Sequence, residues 1–170
     1  MFRPREKKGN QLFVVAAAGA DMAREPDRVP PIAVRAAIEL GCDGVSFRVL
    51  DDRQVIHRTL ESVGLAEDPG DPSSLSAAMV DLVLQRGETI VARSIPEEGE
   101  VLLPSPSGDF VAGLASPIWI EGWIAAVLVG VVRADPRLTP DTVAAFGLLA
   151  SQAGLTLDNA QRIEEGRQTA

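Results

Sequence analysis

Apolar positions recur along this chain in two rhythms. From Gln11 onward, Leu12, Val15, Ala16, Gly19, Met22 and Ala23 keep the spacing of one helix face, and Pro26 ends the run. Residues 1–10 are polar and basic, contain Pro4 and Gly9, and read as a mobile tail. Pro30 and Pro31 suit the first turn of a second helix, with Ile32, Ala33, Ala36, Ala37 and Leu40 on its apolar face and Gly41 as its cap. Val45, Phe47 and Val49 alternate with Ser46 and Arg48, the period-two pattern of a strand. Asp51–Arg53 then turns the chain so that Val55–Leu60 runs back. Residues 63–74 read as a loop. Ser73 or Ser74 caps a third helix carrying Leu75, Met79, Leu82 and Val83, which stops at Gly87. Thr89–Ile95 is a short strand-like run, and Pro96–Asp109 reads as an exposed loop or lid. Phe110–Ile120 and Trp123–Val132 are nearly continuous apolar strands joined at Glu121–Gly122, so both of their faces should be covered. Thr139 caps a last helix that opens with Pro140 and runs to about Glu165, leaving 166–170 as a tail.

The last helix carries two apolar stripes. Phe146, Leu149, Ala150, Ala153, Leu157 and Ala160 form the one that should lie on the sheet. Leu148 and Leu155 fall opposite, and Gly147, Ser151 and Gly154 lie between, small enough to admit another helix. That neighbour is the Leu12–Ala23 helix of the same chain, its copy in a second subunit, or both. Two ordinary exposed leucines are the plainer alternative.

Composition narrows the functional classes. The 170 residues suffice for one core, and 46% of them are hydrophobic, which suits a soluble globular domain. A net charge of −8 repels phosphate backbones and argues against nucleic acid as a partner. One cysteine, Cys42, excludes an internal disulfide, and with one histidine, His57, it argues against a metal centre. The basic start followed by Leu12–Ala20 has the outline of a short signal peptide, but the stretch is weakly apolar and runs on into Asp21, Met22 and Ala23, so an amphipathic or Ala-rich helix is the better account. Gly113–Val132 is apolar enough to suggest a membrane span. Glu121 would then be buried in lipid at about 2.5–3.5 kcal/mol, so paired strands are the better account. The expectation is a cytoplasmic protein that meets no membrane.

Ser116-Pro117-Ile118, the Gly122–Val132 strand, Leu138-Thr139-Pro140-Asp141, Phe146–Ala153 and Asp158-Asn159-Ala160 together resemble a GAF domain, a small-ligand sensing module of signalling proteins. The likeness spans about 11–165. It implies an α+β fold: an antiparallel sheet of five or six strands, with N- and C-terminal helices on one face and a pocket-forming layer of loops and short helices on the other. A PAS domain shares this plan but lacks the long closing helix.

The resemblance implies no catalytic residue. The Asn-Lys…Phe-Asp-Glu signature of the cyclic-nucleotide branch does not occur, and the free methionine sulfoxide reductase branch relies on several cysteines. Cys42 reads as a small buried hydrophobe. It also precedes the sheet, which argues against a bilin attachment. His57 could ligate haem; solvent exposure or a core hydrogen bond is the alternative. Trp119 and Trp123 could stack on a flat ligand or simply pack. Glu97, Glu98 and Glu100 read as a solvated loop.

The resulting expectation is a non-catalytic sensory or regulatory domain. A small apolar or amphipathic ligand of unspecified identity, with no particular cofactor implied, enters a pocket bounded by Phe47, His57, Met79, Phe110, Ser116 and Ile118. Leu12, Val15, Leu148 and Leu155 form a homodimer interface, and a signalling protein receives the output. The rivals are a ligand-free dimerisation module, a sulfoxide reductase and a haem-based sensor.

Overall fold

The computed structural model describes residues 4–54, 57–104 and 108–169. Helix α1 (Pro4–Arg24) leads through a 3-10 turn at Pro26–Arg28 into α2 (Val29–Glu39). Strands β1 (Gly44–Leu50) and β2 (His57–Val63) follow, then α3 (Leu75–Arg86), β3 (Ile90–Arg93) and β4 (Val101–Leu102). The chain closes with β5 (Ala112–Ile120), β6 (Trp123–Val132), a 3-10 turn at Asp135–Arg137 and α4 (Pro140–Thr169).

Two expected tails are helical. Pro4 starts α1, because proline is at home in a first turn and one interior glycine, Gly9, costs only about 1 kcal/mol. Likewise α4 continues through 166–169. Residues 1–3 and Ala170, together with Val55 and Ile56 of the returning strand and Ser105–Ser107 of the long loop, lie outside the described residues.

The six strands are ordered β2-β1-β6-β5-β3-β4. All neighbours are antiparallel except β3 and β4, so the sheet is mixed rather than wholly antiparallel. The apolar strands β5 and β6 occupy its centre, as their lack of alternation predicts. Their hairpin turns at Glu121 and Gly122 with φ of 52° and 82°, the left-handed pair that suits a two-residue connection.

Each face has its own core. Val45, Phe47, Leu114, Ile118 and Leu128 meet α1, α2 and α4 through Val15, Met22, Val34, Phe146 and Leu149. On the opposite face Val127, Val129, Val131, Ala115 and Leu50 meet Leu75, Met79, Val80 and Val83 of α3. Burying each large side chain contributes about 1.5–3 kcal/mol, so both layers are firmly held.

Helices α1 and α4 run parallel. Gln11 Nε2 donates to Thr142 Oγ1 at 2.7 Å, and further along Gly19 lies against the Gln152 side chain. The small residues of α4 serve the sheet more than a helix. A Cβ on Gly154 would stand 2.7 Å from the Trp119 carbonyl oxygen, and Gly147 faces Thr89 and Ser116, while Ser151 is exposed. Arg93 ties β3 to two other segments: Nε donates to Glu100 Oε1 at 2.9 Å, Nη1 to Asp135 Oδ1, and Nη2 to the Leu138 carbonyl at 2.8 Å.

Candidate functional site

The six residues expected to bound one pocket lie on two faces. Phe47, Ser116 and Ile118 point toward the terminal helices, where the Ser116 and Thr89 hydroxyls meet at 2.9 Å beside Gly147. Strand parity is the reason: Ser116 and Ile118 share the side of Leu114, and Phe47 shares that of Val45. Met79, His57 and Phe110 belong to the opposite face, under α3. Met79 is fully buried there, and Phe110 lines a cleft.

That cleft has a volume of about 830 Å³ and lies where the segment after β2, the start of α3 and the 108–110 turn meet. Glu67, Asp68, Asp71 and Asp109 border it. Arg133 lies over the Phe110 ring, 4.8 Å from its centre, and is 3.7 Å from Asp109. Ser74 caps α3 at this edge by accepting from the Ala77 N–H at 3.1 Å. Asp71 accepts from both the Ser73 hydroxyl and its N–H, which holds the Asp71 carboxyl below the usual carboxylate range.

On the same face of the sheet lies a polar side chain of β1 that alternates with Val45, Phe47 and Val49. Arg48 is fully buried. Its Nε donates to His57 Nδ1 at 3.1 Å, Nη1 to Thr59 Oγ1 at 2.7 Å, and Nη2 to the His57 carbonyl at 3.2 Å. The register explains the meeting, since Arg48 stands opposite Thr59 and Leu50 opposite His57. These acceptors are neutral. Burial lowers the pKa of the guanidinium, and the carboxylates of Glu67, Asp81 and Asp71 partly restore it from a distance. Glu67 and Asp71 also border the cleft, so the same carboxylates serve both features.

With Arg48 donating to Nδ1, that nitrogen is an acceptor, and Nε2 of His57 faces Asp81 Oδ1 at 3.4 Å. Both ring nitrogens are therefore engaged within the chain, a poor starting point for an axial haem ligand. Ser46 Oγ and Ser76 Oγ join the strand to α3 at 2.9 Å, and the Ser76 N–H donates to Glu67 at 3.1 Å. Ser46 and Arg48 alternate with the apolar residues of β1, so parity alone marks them as outward. The missed signal is the odd-numbered run Val127, Val129 and Val131 on β6, which requires a cover over the neighbouring strand as well.

Cys42 lies on the other face, buried, with its sulfur at the Cα of Gly130, where an added Cβ would stand 2.7 Å away. Burial, with some help from Asp43, pushes its thiol up to about 12, which leaves almost no thiolate near neutrality. Trp119 and Trp123 flank the hairpin tip and are 46% and 63% exposed.

The expected interface residues also divide. Val15 is core, whereas Leu12, Leu148 and Leu155 are 57%, 45% and 64% exposed. Helix α1 packs on the flank of α4 and does not cover the far stripe. Leu12 and Leu148 border an apolar groove of about 220 Å³ between the two helices. Among the described residues, no helix is long and apolar enough to cross a membrane.

No protein-family model matches the sequence, and no curated protein does. Solved structures do match. The free methionine-R-sulfoxide reductase of Neisseria meningitidis, in complex with its substrate, aligns at TM-score 0.70 and 15% identity over 96% of this chain and 97% of that one. The GAF domain of an Acinetobacter phosphoenolpyruvate-protein phosphotransferase aligns at 0.66 and 19%, covering 90% and 95%. A phycoerythrobilin-bound GAF domain from a cyanobacterial phytochrome aligns at 0.62 and 13%, covering 91% and 98%. On these alignments this chain has the fold of a GAF domain.

Proposed function

We propose that the chain is a cytoplasmic, non-catalytic sensory or regulatory domain. It binds a small amphipathic molecule on the α3 face and passes occupancy to a signalling partner through the terminal helices of a homodimer. The observation that carries this reading is the roomy cleft on the α3 face, where Leu65, Leu75 and Phe110 stand beside Arg133, Ser74 and the carboxylates of Glu67, Asp68, Asp71 and Asp109. Apolar side chains next to charged ones suit a ligand with one polar and one apolar end. The neighbour that holds a bilin and the one that holds its substrate support the use of this fold for small molecules. The non-catalytic part is supported by Cys42, the one cysteine, which lies on the far face from the cleft as a protonated thiol.

A dimerisation module with no ligand is the second reading. It is favoured by the close packing of Met79, Val80 and Val83 onto the sheet, which fills much of the face. Native mass spectrometry of gently purified protein, followed by a thermal-shift screen of small amphipathic compounds, separates the two. A ligand at a hundred times its Kd adds about 2.7 kcal/mol. A dimer that carries nothing and shifts with no compound supports the module. Turnover of free methionine sulfoxide that survives Cys42→Ser overturns the non-catalytic reading.

A further inference from the structure

The exposed side of α4 is patterned to meet a copy of itself running the opposite way. Asp141, Ala144, Leu148, Ser151, Leu155, Asn159 and Arg162 share one exposed stripe, opposite the stripe that carries Phe146, Leu149 and Ala153. Reflected about the Ser151–Gln152 bond, this stripe is self-complementary. Leu148 falls on Leu155, Ala144 on Asn159, and Asp141 on Arg162. In a two-fold antiparallel pair each match occurs twice, which is the requirement of an isologous interface. In a parallel pair the same residues would stack Asp141 on Asp141 and Arg162 on Arg162.

Two further observations point to a second copy. The apolar groove bordered by Leu12, Ala144, Ala145 and Leu148 lies where the opposing Leu155 would enter. Every residue from Gln161 to Arg167 is exposed. An opposing copy of α4 and its neighbour α1 would cover part of this exposed surface.

We infer that two copies associate through antiparallel α4 helices centred at Ser151–Gln152, with Leu155 of each seated in the groove of the other and Asp141 paired with Arg162 at both ends. Overlap from 141 to 162 is ~33 Å of helix. The inference rests on the reading that the far stripe of α4 meets a second copy, and it adds direction and register.

Cysteine cross-linking and sedimentation equilibrium test it on the full chain. Under oxidation, A144C/N159C forms covalent dimers while A144C alone forms none. Leu155→Glu raises the dimer Kd by about thirtyfold or more. Asp141→Arg and Arg162→Asp each weaken association by about tenfold, and the double swap restores it. Self-linking of A144C, or a double swap no tighter than its parents, overturns the antiparallel register and leaves dimerisation standing. A wild-type chain that sediments as a monomer overturns both.

Discussion

At the residue scale, the deciding side chain is one whose burial the local pattern did not reveal. Arg48 reads as the polar half of an alternating strand, and only the α3 cover turns it inward. Its charge is held by neutral acceptors, so its partners matter more than the charge itself. His57→Ala leaves a buried guanidinium short of an acceptor and should cost about 3 kcal/mol in urea denaturation, whereas Arg48→Met should cost clearly less. Cys42 gives a second residue-scale prediction. Its folded pKa of about 12 exceeds the ordinary 9.0, so the unfolded state loses its proton first as pH rises. Stability from this group is complete below pH 9.0 and falls toward about 12, by up to 1.4 kcal/mol per pH unit. Unfolding curves across that window should show the slope, and Cys42→Ala should remove it.

At the element scale, α4 was legible as a helix with two stripes because its periodicity survives intact in the sequence. Its glycines were not, since spacing cannot say whether a small residue admits a helix or a strand. The structure gives Gly154 to the backbone of Trp119 and Gly147 to an open contact, 3.6 Å from Thr89 Oγ1. Gly154→Ala should therefore destabilise by about 1–3 kcal/mol, because a carbonyl in a sheet cannot step aside. Gly147→Ala should be neutral or gain up to about 1 kcal/mol from helix propensity. Comparing the two melting curves checks the contrast. Ser74→Ala removes the cap of α3 at the cleft edge and should cost about 1 kcal/mol.

At the scale of the whole molecule, the central place of β5 and β6 was legible because their apolar runs lack alternation, and the layers on the two faces came with the GAF resemblance, whereas the strand order did not show in the sequence. The split of the expected pocket did not, because assigning Phe47, Ser116 and Ile118 to a face requires knowing which side α4 covers. The result is two cores, one on each side of a single sheet, with the cleft on one and the exposed leucines on the other. If a small molecule on the α3 side alters pairing of copies, the coupling must be mutual. The factor by which that ligand changes the dimer Kd should equal the factor by which dimerisation changes the ligand Kd. Titration calorimetry on wild type and Leu155→Glu measures both.

Arg93 links two segments beside the start of α4. One guanidinium buckles the 96–104 strap to the turn that launches α4, gripping Glu100 on one side and Asp135 and the Leu138 carbonyl on the other. A tug on the strap is thereby delivered to the root of the longest helix through the end of β3. Arg93→Ala would unfasten it, leaving the two ends of the molecule to move out of step.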